Sequence, residues 1–437
     1  MLELQSDKTL LPSCYPWICY FLTKHYSKLG LYDQAMTAVN QGIEHTPTLV
    51  ELYVVKAKIF RLKKELSKAC ETAILAQSLD TADRYTNCIA CQYLIANSEI
   101  ERAEEMLAKF VKETQDITDY LRSLQLVWFE IRVAKICYEN ENYAECLRRC
   151  HLIKRIFVDM FEDQFDFVQY SCRKFTISSF AEFYALEDVI FTHPAYQLAT
   201  FYSSKIYLKM LAEGKDSLIE TLTEEQLANS EKLKIKQEQL DNKVFDDDSW
   251  GPKKENILDP VLLVKEANPT EELSEFLGNL EKQCRNSILT YRIGAEFYGD
   301  EKVKNYPKLV KSIDRGLDLL KSELVNEKQN DSNETPISNF RQAHPNFEAN
   351  SLPQIYKNSE YLFKIKDSAR DTATVDFLKL SAASINNFTK NAEAGDQNSE
   401  IFVKLMEELK IKEKFNLVQS GLSKIDGLDL GISELTV

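Results

Sequence analysis

Large apolar and small residues recur along the N-terminal part of the chain with a period of 34 residues. The recurring pairs are Tyr26 and Ala35, Phe60 and Ala69, and Leu94 and Ala103. Each period contains two stretches with helical spacing of apolar residues, separated by a turn position that is Gly30 in the first period. The predicted buried face of the first helix consists of Trp17, Tyr20, Phe21, Leu22 and Tyr26. Each period therefore predicts two antiparallel helices, with the small residue where they approach each other.

A helix-turn-helix period of 34 residues is typical of tetratricopeptide repeats, which stack on their neighbours. The sequence thus predicts an all-α fold, a tetratricopeptide-type helical-repeat solenoid. The period is regular for three units and then lengthens, because the next small position after Ala103 is Cys146, 43 residues further on. Arrays of this kind present extended binding surfaces, so a protein-binding role is expected.

Changes in composition divide the chain into five predicted regions. Residues 1–212 form the tetratricopeptide-like helical repeats. Residues 213–256, rich in Glu, Lys, Gln, Asp and Ser, form a charged and partly disordered linker, which starts with a charged helix. A helical region follows at 257–327, then a loop rich in Asn, Ser, Pro and Gln at 328–358, and C-terminal helices at 359–437.

Charge and hydropathy narrow the classes of partner. The net charge of −14 argues against nucleic-acid binding through the whole surface, and no sequence-specific binding is expected. No apolar run approaches the roughly 18 residues of a membrane span, and the first residues lack the features of a signal peptide. The ten cysteines are scattered through helical patterns, as is typical of reduced thiols. We expect a cytoplasmic protein with no membrane partner.

The motifs of common catalytic sites are missing from the sequence. Neither G-x-x-x-x-G-K-[ST] nor G-x-G-x-x-G occurs, and no Gly-rich turn offers backbone N–H groups to the pyrophosphate of acetyl-CoA. The five histidines are dispersed and none belongs to a triad motif. We therefore predict no catalytic residues.

Two groups of cysteines have the spacing of metal ligands. Cys88 and Cys91 form a C-x-x-C without a second pair at the usual distance, and Cys91 lies where the array requires a small residue. Cys146, Cys150 and His151 lie near one helical face, but Cys146 is again the small residue between helices. We predict that these residues pack in the core and that the chain has no metal site.

Basic residues cluster in the stretch 148–174 and form a candidate anion site. They are Arg148, Arg149, Lys154, Arg155, Arg173 and Lys174. If neighbouring repeats bring them together, they would bind an anion through charge-assisted hydrogen bonds. Acidic residues, among them Glu145 and Asp159, interleave with them, so a solvated surface of mixed charge is the alternative interpretation.

Several stretches resemble one protein family more closely than a generic repeat. They are Thr46–Phe60, Ala76–Tyr85, Asp163–Phe167, Cys172–Lys174, Leu186–Val189, His193–Pro194 and Trp250–Lys254. Together they resemble the auxiliary subunit of the N-terminal acetyltransferase A (NatA) complex. The resemblance runs from about residue 10 to residue 290 and is most specific in the first 210.

This resemblance implies a non-catalytic scaffold subunit. Members of the family hold a catalytic N-terminal acetyltransferase subunit, assist cotranslational N-terminal acetylation and dock the complex on the ribosome. It also implies inositol hexakisphosphate as a structural anion at the subunit interface, with no other cofactor required. The residues expected to bind it are Arg84, Tyr85, Arg148, Arg149, Arg173 and Lys174.

Two departures from the family pattern qualify these expectations. Members of the family are about twice as long, so the chain is expected to lack the N-terminal half, as a truncated gene model, a fragment or a split form. Lysines that follow the Asp-Arg-aromatic motif in the family are Ile89 and Gln92 here, which predicts weaker anion binding. A generic tetratricopeptide adaptor that binds an extended peptide is the alternative function.

Overall fold

A computed structural model of the chain describes residues 13–111, 117, 120–121, 124–162, 167–174, 176–219, 222–243, 258–329, 376–390, 392 and 397–426. The regular structure of these residues is helical, without a strand, which confirms the predicted all-α fold. The chain divides into two compact units, the first ending at Ile136 and the second beginning at Cys137. This division falls inside the 1–212 region that the sequence assigns to the repeats.

The first unit contains three consecutive helical pairs. They are α1 (Cys14–Lys28) with α2 (Tyr32–His45), α3 (Val50–Leu62) with α4 (Leu66–Leu79), and α5 (Arg84–Ala96) with α6 (Ile100–Ala108). Each helix packs against the next one along the chain, and α1 also contacts α3. The following helix, α7 (Val127–Glu139), crosses the division between the units.

The turn inside each pair has the same backbone conformation. Gly30, Lys64, Ser98 and, after the longer period, Glu141 all adopt left-handed φ angles, of 76°, 63°, 64° and 60°. In every case the next residue donates its N–H to the carbonyl five positions earlier, as in the bond from Leu31 to Tyr26. This is the Schellman arrangement, which satisfies carbonyls left open at a helix end. Only the first of these turns uses glycine, the residue for which that conformation has no steric cost.

Small residues between the paired helices are completely buried, as predicted. They are Ala35, Ala69, Ala103 and Cys146 on the second helices. A parallel series on the first helices is buried to the same extent and consists of Thr23, Ala57, Cys91 and Ala134. Both series change from an offset of 34 to one of 43 at the same place, so the insertion leaves the spacing between the two series unchanged.

The predicted buried face of α1 is wrong at two positions. Trp17 and Phe21 are 49% and 66% exposed, and the residues that α1 buries are Tyr15, Pro16, Cys19 and Thr23. Trp17 instead contacts Tyr20 edge to face, and Phe21 stacks on His25. The apolar residues of α1 surround the helix on more than one side, so their spacing alone does not identify the buried face.

The second unit is built on a long helix, α8 (Tyr143–Glu162), which packs against α11 (Pro194–Glu213) and α14 (Pro260–Lys265). Between α8 and α11 lie α9 (Phe167–Lys174), α10 (Ile177–Glu187) and a 3-10 turn at Ile190–Thr192. The helix α11 also contacts α15 (Pro269–Gln283) and α16 (Ile288–Gly299). Helices from the predicted repeats and from the predicted helical region at 257–327 therefore share one core.

Aromatic and polar contacts connect α8 with α11 and α15. The ring Nε2 of His151 lies 2.7 Å from the Tyr207 hydroxyl, and the His151 ring packs edge to face on Phe276. The Lys154 ammonium lies over the same Phe276 ring and donates to Glu275 at 2.6 Å. Burial lowers the pKa of His151 to about 3, so this imidazole is neutral at physiological pH.

The C-terminal helices assemble around α17 (Tyr306–Gln329), which packs against α16, α19 (Gln397–Glu408) and α20 (Ile411–Asp426). The helix at 376–390, α18, places the Phe377 ring directly over Gly316 of α17. Lys414 of α20 bridges Asp314 and Asp318 of α17 at 2.5 and 3.0 Å.

The stretch that the sequence assigns to a linker, 213–256, contains two helices. They are α12 (Lys215–Ile219) and α13 (Glu224–Lys243), both of which contact α14. The rest of that linker, most of the 328–358 loop and the first part of the 359–437 region lie outside the described residues. Within the described part of the chain, no helix is both long and apolar enough to cross a membrane.

Candidate functional site

The predicted anion-binding residues Arg84 and Tyr85 begin helix α5 of the first unit. Asp83 precedes them and accepts hydrogen bonds from the N–H groups of Tyr85 at 2.9 Å and Thr86 at 3.1 Å. The helix therefore starts with a side-chain cap, which uses two of the N–H groups that a helix N-terminus otherwise offers to an anion. Binding at this place would have to rely on side chains.

The Arg84 side chain is exposed and held on one side by aromatic groups. Its Nη1 donates to the Tyr120 hydroxyl at 3.1 Å, and its guanidinium lies 5.1 Å from the centre of the Phe110 ring. No salt bridge to a described residue neutralises it. Tyr85 is 63% exposed, and Ile89 and Gln92 follow it on the same side of α5 at helical spacing.

Arg148 and Arg149 share one carboxylate in the second unit. Arg148 binds Glu145 with two hydrogen bonds, Nε to Oε2 at 2.8 Å and Nη2 to Oε1 at 2.6 Å. The Nε of Arg149 donates to the same Oε1 at 2.6 Å. Burial would raise the pKa of Glu145, but the guanidinium groups of Arg149 and Arg148 outweigh it and lower the pKa to about 2. The three residues form a mostly buried ion-pair cluster with a net charge of +1.

The two remaining predicted residues, Arg173 and Lys174, are exposed in the last turn of α9. Of the six residues, Arg84 and Tyr85 thus belong to the first unit and the other four to the second. The pair that the structure brings together is Arg148 and Arg149, through Glu145. The anion-binding role of the six residues stays a prediction.

The role of Glu145 escaped the sequence analysis although a signal was present. Glutamate followed by arginines three and four positions later places the three side chains on one helical face. In the linear sequence Glu145 is one of the acidic residues that interleave with the basic cluster. In the helix it pairs with that cluster.

The cysteines predicted to be packing residues are free thiols, and all of them except the partly exposed Cys88 are buried. Cys91, Cys146 and Cys150 are fully buried, and burial raises the pKa of Cys91 above its ordinary value. His151, the candidate third ligand, is bound to Tyr207. Among the described residues, no group of three or more His, Cys, Asp and Glu side chains has the arrangement of a metal site.

Large apolar side chains are exposed at several places on the first unit and are candidates for contact with a protein partner. They are Trp17, Phe21, Leu29, Leu31, Leu62, Leu75, Leu79, Tyr85 and Leu124. Single exposed apolar residues are ordinary. Trp17 and Phe21, however, are one helical turn apart on α1, and aromatic residues dominate the energetics of protein interfaces.

Comparison with known families now adds to this geometry. Residues 2–248 match the family model described as "N-terminal acetyltransferase A, auxiliary subunit", which is more than half of the chain. The chain belongs to the NatA auxiliary subunit family. This confirms the resemblance seen in the sequence.

Curated relatives in this auxiliary subunit family are considerably longer than the chain. Human N-alpha-acetyltransferase 16, NatA auxiliary subunit, is 35% identical over 226 residues, which are 52% of this chain and 26% of the relative. The mouse protein of the same description is 31% identical over 315 residues, covering 66% and 36%. The Arabidopsis thaliana NatA complex auxiliary subunit NAA15 is 28% identical, covering 67% and 34%. The chain thus spans about a quarter to a third of these relatives.

A solved structure supports the fold. The structure of Naa15/Naa10 bound to HypK-THB contains a chain that is similar with a TM-score of 0.52 and 22% sequence identity. The similarity covers 83% of this chain and 46% of that one. It reaches beyond residue 248, where the family model ends, and confirms the helical-repeat architecture.

Proposed function

We propose that the chain acts as a non-catalytic scaffold in an N-terminal acetyltransferase A complex, where it holds a catalytic acetyltransferase subunit. The observation that carries this proposal is the match of residues 2–248 to the auxiliary subunit family. The stacked helical pairs of the first unit are the kind of architecture that proteins use for extended binding surfaces. The absence of a Gly-rich phosphate loop from the sequence agrees with a role without acetyl transfer.

The exposed apolar surface of the first unit is the candidate contact with the catalytic subunit. Trp17, Phe21 and Tyr85 each leave about half or more of their surface exposed. Burying such rings at an interface removes apolar area from water without opening a cavity in the core, so replacing them affects binding more than folding.

Co-expression with a tagged catalytic subunit tests the proposal. We expect a stoichiometric complex that survives size-exclusion chromatography at micromolar concentration, and weaker complex formation by the Trp17→Ser/Phe21→Ser variant. A matched control is Ile401→Ser, which removes an exposed apolar residue from the second unit. A chain that forms no complex, although it is folded by circular dichroism, would contradict the proposal.

The same preparation distinguishes the alternative functions. A generic tetratricopeptide adaptor would bind a short linear peptide and ignore a folded acetyltransferase. An enzyme would transfer acetyl groups from acetyl-CoA to an acceptor peptide as the isolated chain. We expect acetyl transfer only in the presence of the catalytic subunit.

Inositol hexakisphosphate as a structural anion is a second part of this proposal. The exposed cations Arg84, Arg173 and Lys174 have no described carboxylate partner, whereas Arg148 and Arg149 are already paired with Glu145. Variants of Arg84 and of Arg173 with Lys174 are therefore the informative ones, because replacing Arg148 would also break the buried cluster. We expect the anion to raise the melting temperature of the parent complex and to have a smaller effect on Arg84→Gln. An equal effect on both would place the anion elsewhere.

Ribosome association and a cytoplasmic location are the finer parts of the proposal. Both rest on the resemblance to the family and on its cotranslational role. Co-sedimentation of the complex with ribosomes in a sucrose gradient tests the first, and fluorescence microscopy of the tagged chain tests the second. A complex that stays at the top of the gradient at low salt would remove the ribosome from the proposal.

A further inference from the structure

A cavity in the second unit has four basic residues among the nine that line it. It lies where the end of α15 and the turn after it meet the start of α16 and the first half of α17, and its volume is about 80 Å³. Four cations line it, and they are Arg285, Lys308, Lys311 and Arg315. The cavity is separate from the predicted anion-binding residues, and it lies beyond residue 248, where the match to the family model ends.

None of the four cations forms a salt bridge with a described residue. Lys308 donates a long hydrogen bond of 3.5 Å to the Tyr298 hydroxyl and lies over that ring. Glu281 is the acidic residue of the lining, and its carboxylate already accepts a hydrogen bond from Tyr298 at 3.0 Å. The cavity therefore carries a net charge of +3 in a chain whose net charge is −14. A positive cluster of this kind favours an anionic ligand.

A buried hydroxyl in the lining has no partner. Thr290 is 1% exposed, and its Oγ1 has no hydrogen-bond partner in the structure. Buried polar groups are almost always hydrogen-bonded, so Thr290 Oγ1 is available as a donor to a water molecule or a ligand in the cavity. The neighbouring hydroxyls are already committed, since Ser312 donates to the Lys308 carbonyl at 2.9 Å and Tyr291 to the Arg285 carbonyl at 2.7 Å.

The backbone adds to the positive potential. Thr290 lies in the first turn of α16, and Ser287, which precedes that helix, provides no side-chain cap. Its hydroxyl instead donates to Gln197 at 2.8 Å. The Thr290 N–H already donates to the Ser287 carbonyl at 3.1 Å, so the partial positive charge of this helix N-terminus rests on the other N–H groups of the turn.

From the four unpaired cations and the orphaned Thr290 hydroxyl, we propose that this cavity binds a phosphate group. The ligand is either free inorganic phosphate or the phosphate of a small monoester. The volume equals that of about two or three water molecules, which suits one tetrahedral oxyanion and is far below the roughly 300 Å³ at which ligand pockets begin. Arginine and lysine supply several donors to one phosphate, and Thr290 adds a neutral donor.

Thermal unfolding of the full chain with increasing sodium phosphate, at an ionic strength held constant with sodium chloride, tests the proposal. We expect a saturable rise of the melting temperature, because a ligand that binds the folded state stabilises it. The variant Lys311→Gln/Arg315→Gln should weaken phosphate binding and raise its dissociation constant by about tenfold or more. Thr290→Val keeps the shape of the side chain and removes the hydroxyl, and it should weaken phosphate binding less than the double variant does.

Two further variants make the test independent of folding defects. Lys321→Gln removes a charge from the same helix outside the cavity lining and should leave phosphate binding unchanged. Glu281→Gln keeps an acceptor for Tyr298 but removes the negative charge, and should strengthen binding by about threefold. A response that is not saturable, or that Lys321→Gln reduces as much as the double variant does, would overturn the proposal, as would weaker binding by Glu281→Gln.

A second titration identifies the source of the phosphate group. β-Glycerophosphate replaces inorganic phosphate under the same conditions. Binding at least as tight as that of inorganic phosphate assigns the cavity to a monoester. Binding of inorganic phosphate alone assigns it to the free anion, since the cavity then has no room for a substituent.

Discussion

Replacing Glu145 by glutamine tests the buried ion-pair cluster of the second unit. The Glu145 carboxylate accepts three hydrogen bonds, two from Arg148 and one from Arg149. Its side chain is 21% exposed and that of Arg149 is 6% exposed. Because water screens the cluster so little, the charges interact strongly, and removing the carboxylate that the two arginines share is costly.

The pKa of Glu145 sets the magnitude. A carboxyl whose pKa is about 2 in the folded chain and 4.5 in the unfolded one stabilises the fold by roughly 3 kcal/mol at neutral pH, at 1.36 kcal/mol per unit. Breaking a buried ion pair by removing one partner costs about 3–5 kcal/mol in other proteins. Both routes give a similar figure, and we expect Glu145→Gln to destabilise the second unit by about 3 kcal/mol.

The same pKa predicts how the effect depends on pH. The folded-state pKa is lower than the unfolded one, so the unfolded chain binds a proton first as the pH falls. The stabilisation is complete above about pH 5 and is lost as the pH falls towards 2. The difference between the parent and Glu145→Gln should therefore be largest at neutral pH and shrink through this window.

Hydrogen exchange with mass spectrometry is the suitable measurement at neutral pH. The chain has two units, and a single unfolding transition would not show which of them has lost stability. We expect faster exchange in peptides from α8 and unchanged exchange in those from α3 and α4. Urea denaturation between pH 3 and 7 supplies the pH dependence, and Glu407→Gln, an exposed glutamate of the same unit, is the control. A loss below about 0.5 kcal/mol, the range of ordinary surface changes, or one independent of pH would refute the reasoning.

Three further predictions concern stability. Gly316→Ala should lower the free energy of unfolding by about 1–3 kcal/mol, because the new methyl group would overlap the Phe377 ring, two carbons of which would lie 2.9 Å from it. A melting temperature equal to that of the parent would contradict the placement of this ring. Lys64→Gly should stabilise the first unit by about 1 kcal/mol in urea denaturation, because Lys64 is exposed and its backbone is in the left-handed conformation, which glycine adopts without steric cost. A loss of stability would contradict this prediction. Phe129→Ala should lower the free energy of unfolding by about 3–5 kcal/mol because this ring is completely buried. Trp128→Ala should lower it less because that ring is half-buried. The reverse order would contradict the assignment of the buried face of α7.

The candidate site was predictable in its residue types and not in its arrangement. Arg148 and Arg149 were recognisable as a positive pair, but the sequence did not show that Glu145 would neutralise part of their charge. The phosphate-binding cavity escaped prediction altogether. Its cations come from a turn after one helix and from successive turns of another, and neither stretch has the spacing of a known motif. Only the packing of three helices brings them around the Thr290 hydroxyl.

The sequence by itself determined the repeat. A period of 34 residues located the turns at Gly30, Lys64 and Ser98 and the small residues between the helices, because turn geometry and close helix contact depend on single positions. The tertiary structure decided which faces are buried and which charges meet. Trp17 and Phe21 are as apolar as the residues of a core, yet α1 turns them outwards. Burial and ion pairing depend on which helices pack together, and that is a property of the assembled fold.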